Sequence, residues 1–200
     1  MSRQNRTSEL KNRVLTAALA HFTESGIERS NVGDILKDAE CSVGSLYHHF
    51  GNKEGIAEAL FINGLNQFND NLLDALLRHQ QTEPGIKSIV SWICRWVTEQ
   101  PQIAAYMLSR EIKLSEEAKQ ELRELDQSQR DALTGWFAPR IESGELKNLH
   151  FNVYVPLISG PALEYSRMWL SGRYTRSPET VSNVMAEAAW QSVRQNQGLT

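Results

Sequence analysis

The chain has little cysteine and no long hydrophobic run, and both absences limit what it can be. Two of its 200 residues are cysteines, Cys41 and Cys94, and their spacing matches neither a metal-ligand pair nor a disulfide framework. No apolar stretch approaches the roughly 20 residues that span a bilayer. The beginning of the sequence is polar and lacks the apolar segment of a secretory signal. We therefore expect a cytoplasmic protein with reduced thiols and no membrane partner.

The sequence also lacks an overall basic excess. Its formal net charge of -3 argues against a protein that coats nucleic acid nonspecifically. Residues 1–13 are the one clearly basic segment, with four basic side chains against one acid. The charge balance is compatible with a small DNA-reading patch on a larger acidic body.

Strand signals are nearly absent, whereas apolar residues recur at helical spacing along most of the chain. Glycine, proline and capping residues divide this pattern into segments, and Ser30 is the expected cap of the second. The sequence predicts an all-α protein of about nine helices. The expected helices cover 10–25, 31–39, 42–50, 53–80, 86–99, 101–110, 115–143, 152–171 and 179–195.

Two of the predicted helices are short and lie two residues apart. Each carries one apolar stripe, formed in the first by Val32, Ile35, Leu36 and Ala39 and in the second by Val43, Leu46, Tyr47 and Phe50. Helices this short are marginal alone in water, so both must pack against a neighbour, which we take to be helix 10–25. This arrangement predicts a helix-turn-helix.

The outward side of the second short helix is rich in small hydrogen-bonding groups, namely Ser42, Gly44, Ser45, His48 and His49. Glycine allows close approach, while serine and histidine can donate to or accept from base edges. We place the Tyr47 ring toward the core, with its hydroxyl free to reach a phosphate. Lys53 adds a charge at the start of the next helix. The sequence thus predicts a surface that binds double-stranded DNA.

Residues 30–56, SNVGDILKDAECSVGSLYHHFGNKEGI, closely resemble the DNA-binding signature of the tetracycline-repressor (TetR) family of bacterial regulators. The preceding segment VLTAALAHFTESGIERS also matches. The resemblance implies a homodimer that binds a palindromic operator and releases it when a small molecule occupies the C-terminal domain. It places Ser42, Val43, Gly44, Ser45, Tyr47, His48 and His49 on the recognition helix, and Ser30, Asn31 and Lys53 at phosphate-contact positions.

One residue departs from the family pattern. Glu40 stands in the turn between the two short helices, where the family usually has glycine. If that turn needs a left-handed residue, glutamate costs on the order of 1 kcal/mol. We expect residues 1–52 to form the DNA-binding domain and residues 53–200 to form an effector-binding and dimerisation domain.

The C-terminal part is rich in aromatic residues, which at helical spacing form a core more often than a pocket. The apolar side of helix 86–99 covers more than half its circumference, so one surface is available to line a cavity. The resemblance implies a pocket among these helices, and a lining rich in aromatic rings would suit an apolar or aromatic effector. The candidate ligand-binding residues are Trp92, Trp96, Tyr106, Met107, Trp136 and Phe137, with Arg110, Glu111 or Glu164 as a polar anchor.

The last predicted helix has two apolar stripes. One contains Ala186, Ala189, Trp190 and Val193, and the other contains Val181, Val184, Met185, Ala188 and Ser192. A terminal helix that must be covered on two sides suggests a partner subunit. We expect the second stripe to form a homodimer interface, unless the chain's own helices cover both.

Other classes of protein are less consistent with the sequence. We find no nucleophile elbow, phosphate-binding glycine loop or acid–base pair, so we expect neither an enzyme nor a cofactor. Adjacent histidines on a helix point about 100° apart, so we expect no metal site. The alternative is a helical small-molecule-binding or adaptor protein with a vestigial DNA-binding motif. If His48 and His49 face DNA, binding should become tighter and less selective near pH 6, because an ordinary histidine has a pKa near ~6.5.

Overall fold

The computed structural model describes residues 3–109 and 112–195, and all regular secondary structure in these ranges is α-helical. The all-α prediction is confirmed, with ten helices in place of about nine. The helices are α1 (Arg3–Ser25), α2 (Val32–Asp38), α3 (Val43–Phe50), α4 (Lys53–Leu77), α5 (Thr82–Glu99), α6 (Pro101–Leu108), α7 (Glu116–Glu142), α8 (Phe151–Ile158), α9 (Gly160–Leu170) and α10 (Pro178–Val193).

The additional helix arises in the segment expected to form one helix over residues 152–171, and that expectation was wrong. The structure divides this segment into α8 and α9 at Ser159. Pro161 has no N–H to donate to the carbonyl four residues earlier, so the helical hydrogen bonds are interrupted and a new helix begins with proline in its first turn.

The chain divides into two compact units. The first combines Met1–Asn66 with Gln102–Arg123, and the second combines Gln67–Pro101 with Glu124–Thr200. Helices α4 and α7 each contribute residues to both units. These units are defined by contacts within the chain. The boundary after residue 52 is predicted to separate DNA binding from effector binding and dimerisation, and it stays a prediction.

The core of the first unit joins α1, α2, α3, the first half of α4 and one residue of α6. It stabilises the two short helices, because burying a large apolar side chain contributes about 1.5–3 kcal/mol. The buried stripe expected on α2 is confirmed, since Ile35, Leu36 and Ala39 are all buried. The members of this core are Val14, Leu15, Ala18, Phe22, Ile35, Leu36, Ala39, Leu46, Ile56, Ala57, Leu60 and Tyr106.

In the second unit, α5 packs against α8, α9 and α10. The wide apolar arc expected on this helix is buried, with Ile86, Val90, Ile93 and Val97 at 0% exposure. An isolated bridge between Leu146 and Arg194 joins the loop after α7 to the residue after α10. A search of the described residues found no helix both long and apolar enough to cross a membrane.

Candidate nucleic-acid interface and ligand cavity

In the turn between α2 and α3, a residue in the left-handed conformation ends α2. The N–H of Glu40 donates to the carbonyl of Lys37 (3.2 Å), and the N–H of Cys41 donates to the carbonyl of Leu36 (3.0 Å). This pair of bonds is the Schellman arrangement, whose central residue is usually glycine. Glu40 has a φ of 49°, the one positive φ at a non-glycine residue in the described ranges. The left-handed conformation considered from the sequence is therefore present, and glutamate carries its steric cost.

Both short helices begin at a side-chain cap. The Asn31 side chain accepts from the N–H of Gly33 at 2.8 Å, and the Ser42 hydroxyl accepts from the N–H of Ser45 at 3.2 Å. The expectation that Ser30 caps α2 was wrong. Ser30 is buried, and its hydroxyl donates to the carbonyls of His21 (3.0 Å) and Gly26 (2.7 Å). Since Ser30 faces the interior, Asn31 is the exposed residue at the start of α2.

The buried side of α3 is rotated from the expected one. Leu46 is 1% exposed and Phe50 is half-buried, but Val43 and Tyr47 are 58% and 56% exposed. The expectation that Val43 and the Tyr47 ring belong to the buried stripe was wrong. The buried arc of α3 is centred on Leu46 and bounded by the half-buried Phe50 and His49. Val43 and Tyr47 lie beyond Phe50 around the helix, so they face outward.

The exposed face of α3, which we call the reading face, consists of Ser42, Val43, Gly44, Tyr47 and His48. It combines a hydroxyl, an imidazole and a phenol with an open backbone position. A Cβ placed on Gly44 would have no protein atom within 4 Å, apart from its chain neighbours and its own helix. The reading face can therefore approach another molecule closely at Gly44 and offer hydrogen bonds on both sides of it.

The two adjacent histidines differ in environment. Their ring centroids lie 4.8 Å apart, but His48 is exposed whereas His49 is half-buried beside the ring of Phe50. Partial burial, followed by repulsion from His48 and Lys11, lowers the pKa of His49 below the usual 6.5. His49 therefore gains its charge at a lower pH than an ordinary histidine does.

Lys53 fixes the start of α4 against the loop before α2. Its ammonium group donates to the carbonyl oxygens of Glu28 at 2.7 Å and Ser30 at 3.2 Å. These bonds hold a positive charge beside the start of α2.

The second unit contains an apolar cavity of about 140 Å³. Helices α4, α5, α7, α8 and α9 all contribute to its wall. Among the predicted ligand-binding residues that the structure describes, Phe137 alone lines it. The lining residues are Phe68, Asn69, Leu72, Ile89, Gln129, Leu133, Phe137, Phe151, Tyr154, Val155, Ile158, Ser159 and Leu163.

The predicted tryptophans lie near this cavity without lining it. Trp92 and Trp96 are stacked at 6.0 Å between ring centroids, and both contact the cavity residue Phe68 edge-on. Trp136 fills the space beside Gly85 and accepts the guanidinium of Arg140 on its face at 3.7 Å. The three tryptophans thus pack within the second unit around the aromatic residues that line the cavity.

Three further predicted ligand-binding residues that the structure describes do not reach the cavity wall. Tyr106 and Met107 belong to the first unit, where Tyr106 stacks on Phe22 and donates to the carbonyl of Ala57 at 2.7 Å. Burial raises the pKa of Tyr106. Glu164 is exposed and pairs with Arg167. Arg110 and Glu111 lie outside the described residues.

The sequence analysis missed most of the cavity lining. The sequence pattern assigns none of Phe68, Phe151 and Tyr154 to a site. The segment of Phe151 and Tyr154, FNVYVPLI, is almost entirely apolar. Such a segment signals burial, but not the side on which a cavity lies.

The chain covers one stripe of α10 and leaves the other open. Ala186, Ala189 and Val193 are buried. On the other stripe, Val184 is 75% exposed and Ala188 is also exposed. Val181, Met185 and Ser192 on that stripe are half-buried.

A family model described as bacterial regulatory proteins, tetR family, matches residues 14–60, which contain α2, α3, the second half of α1 and the first turns of α4. The transcriptional regulator UidR of Escherichia coli is 25% identical over 138 residues, covering 62% of this chain and 70% of UidR. The biofilm-operon negative transcriptional regulator IcaR of Staphylococcus epidermidis is 26% identical over 134 residues, covering 65% of this chain and 70% of IcaR.

Solved structures share the fold along nearly the whole chain. A TetR family transcription regulator from Marinobacter aquaeolei aligns with a TM-score of 0.77 at 20% identity, covering 96% of this chain and 100% of that one. The transcriptional regulator FadR of Bacillus subtilis, solved in complex with stearoyl-CoA, aligns with a TM-score of 0.76 at 22% identity, covering 91% and 98%. At these identities the likeness concerns the fold.

Proposed function

Because the chain belongs to the TetR family of bacterial regulatory proteins, we propose that it is a repressor that binds a palindromic operator as a homodimer and releases it when a small molecule binds. The observation that carries this proposal is the reading face, an exposed set of hydrogen-bonding groups on a capped helix whose opposite side is buried. Because bacterial DNA lies in the cytoplasm, a protein that binds an operator is located there.

The DNA contacts of this proposal come from both short helices and the start of α4. Gly44 lets the backbone of α3 approach the major groove, where His48 and Tyr47 reach base edges or phosphates. Lys53 and the start of α2 serve the phosphate backbone. The proposed contact residues are Asn31, Ser42, Val43, Gly44, Ser45, Tyr47, His48, His49 and Lys53, while Ser30 contributes its carbonyl as a support for Lys53.

The open stripe of α10 is our proposed dimer interface. Val184 and Ala188 are exposed on a helix whose other stripe is already covered by the same chain. A second copy of the stripe would bury these apolar side chains, and the small residues Ala188 and Ser192 would let two helices approach closely. A two-fold dimer also sets two reading faces about 34–36 Å apart, the spacing of successive major grooves.

The apolar cavity is our proposed effector site. Its wall contains ten apolar or aromatic side chains and no charged one among those described, so an apolar body is the best fit. The complex of FadR with stearoyl-CoA is a precedent for a ligand with a long apolar chain in a protein of this fold. Trp92 and Trp96 support the cavity through Phe68.

Release of DNA follows from linkage between the two sites. An effector that binds better to a conformation in which the reading faces are misplaced weakens operator binding, and DNA weakens effector binding by the same factor. The continuous helix α4 is our proposed connection, since it begins at Lys53 and includes the cavity residues Phe68 and Leu72.

Selection of bound sequences from a random pool of double-stranded DNA tests the proposal. Purified protein at moderate salt should enrich an inverted repeat whose half-sites lie one helical turn apart. Enrichment without two-fold symmetry would contradict the dimer. No enrichment by folded, ligand-free protein would contradict DNA binding and leave an adaptor with a vestigial motif.

A further inference from the structure

Arg130 of α7 does not itself line the cavity of the second unit, but it contacts a residue that does. Its guanidinium carbon is 5.3 Å from the centroid of the Phe151 ring, and Phe151 lines the cavity. Its Nη1 donates to the Asn152 side chain at 2.8 Å. The preceding residue, Gln129, is itself part of the wall. Two contacts therefore hold the positive charge of Arg130 beside the apolar space.

The charge of Arg130 is not neutralised within the described ranges. The structure gives this side chain one hydrogen bond and no ion pair there, whereas Arg167 pairs with Glu164. Arg140 instead donates to the carbonyls of Trp136 and Gln80. A guanidinium has five N–H donors in a planar fork that matches a carboxylate. Arg130 therefore has donors available for an anion.

The cavity limits the size of the apolar group beside this charge. An engineered cavity of about 150 Å³ lined by leucine, isoleucine and phenylalanine stays dry and binds benzene. The cavity here has about 140 Å³ and is lined by ten apolar or aromatic side chains together with Asn69, Gln129 and Ser159. The hydroxyl of the lining residue Tyr154 is already used, because it donates to the carbonyl of Lys147. The space therefore suits one aromatic ring or a short hydrocarbon chain.

We propose that the effector is a small apolar carboxylate, with its ring or short chain in the cavity and its carboxylate bound to the guanidinium of Arg130. This inference rests on the proposed function only in calling the bound molecule an effector. The proposed anchor is thus a cation on α7 and not Glu164, which pairs with Arg167. Hydrogen bonds between the guanidinium and an ionised carboxylate are stronger than those to a neutral group, so Arg130 should favour the acid over a neutral molecule of the same shape.

Calorimetry on the full chain without DNA tests this assignment with 3-phenylpropanoate and its neutral isostere 3-phenylpropanamide. The acid should bind at least about tenfold more tightly than the amide, because hydrogen bonds to charged groups are stronger than those between neutral groups. Arg130→Gln should weaken the acid by a similar factor and leave the amide unchanged. Arg123→Gln, on the same helix but bonded to Gln120, is the matched control and should change neither.

A second pair of variants tests the cavity itself. Leu133→Trp fills the space and should abolish binding of both compounds, and Val155→Phe serves if the tryptophan variant does not fold. Absence of acid binding, equal binding of acid and amide, or equal weakening of both by Arg130→Gln would each overturn the assignment. DNA selection is a separate measurement, so acid binding without operator enrichment would reject the repressor and retain the carboxylate site.

Discussion

The ring of Trp136 occupies the place of a side chain at Gly85. A Cβ built on Gly85 would lie 2.4 Å from the Cζ2 atom of Trp136 and 3.3 Å from a methyl carbon of Leu76. Since Trp136 is itself held by Arg140 on its face, the ring has little freedom to move away. Glycine at position 85 thus permits the contact between α5 and the indole.

Gly85→Ala should destabilise the protein by about 1–3 kcal/mol through overpacking. Gly135→Ala is the control, since Gly135 lies on α7 and a Cβ there meets nothing within 4 Å. Alanine in such a helix interior should stabilise by about 0.5–1 kcal/mol. Urea unfolding of the three proteins measures both effects. A Gly85→Ala protein as stable as the wild type would show that the ring moves freely.

Glu40→Gly should raise the free energy of unfolding by about 1 kcal/mol. Glycine removes the steric cost of the positive φ, and the two backbone bonds of the turn remain. Glu40→Ala removes the same carboxylate but keeps a Cβ, so it should gain much less. Thermal unfolding separates these variants, and equal melting temperatures for Gly and Ala would contradict the strain argument.

The sequence predicts those features that depend on local pattern. The positions of α2 and α3 and the burial of Ile35 and Leu46 follow from spacing within some 20 residues. The left-handed turn at Glu40 is suggested by the resemblance to a family that usually has glycine there. The orientation of α3 does not follow from spacing, because the packing of α1 and α4 decides whether Val43 and Tyr47 face the core. Assembly of the cavity also depends on tertiary packing, which brings together Phe68 and Phe151 from distant segments.

Tyr106 shows that local pattern also fails to predict the environment of an aromatic residue. Its helical spacing is compatible with a pocket, but contacts with Phe22 and the carbonyl of Ala57 place it in the core of the first unit. No local signal distinguishes these two environments. Arg130 is similar, since it lies on a long polar helix and only its contacts with Phe151 and Asn152 distinguish it as our proposed anchor.

Gly44→Ala should weaken operator binding without destabilising the fold. The added methyl group meets no nonlocal protein atom within 4 Å, and alanine favours the helix. On the reading face, however, it keeps the backbone away from DNA, at a cost of about 1–3 kcal/mol, as for a mismatched base pair. Fluorescence anisotropy with the selected operator measures the loss, and Gly135→Ala should bind normally. Unchanged affinity would move the DNA contact away from Gly44.

Val184→Arg should convert the dimer to a monomer. The side chain at position 184 is 75% exposed in the single chain, so arginine is tolerated there, but it places a charge in the proposed interface. Asn183→Arg adds the same charge at the neighbouring exposed position and should remain dimeric. Sedimentation velocity at several concentrations decides between them, and a wild-type protein that is monomeric throughout would refute the interface.

Operator affinity should rise as the pH falls from about 7.5 to 6. A phosphate near His48 or His49 stabilises the imidazolium, so the complex binds protons that the free protein does not, and linkage makes the complex tighter at lower pH. Because the pKa of His49 in the free protein is lowered, the increase due to His49 continues to lower pH than for an ordinary histidine. His49→Ala should therefore remove mainly the low-pH part of the increase. The double variant His48→Ala and His49→Ala should bind equally at both pH values, and a pH response that survives in it would assign the effect to other groups.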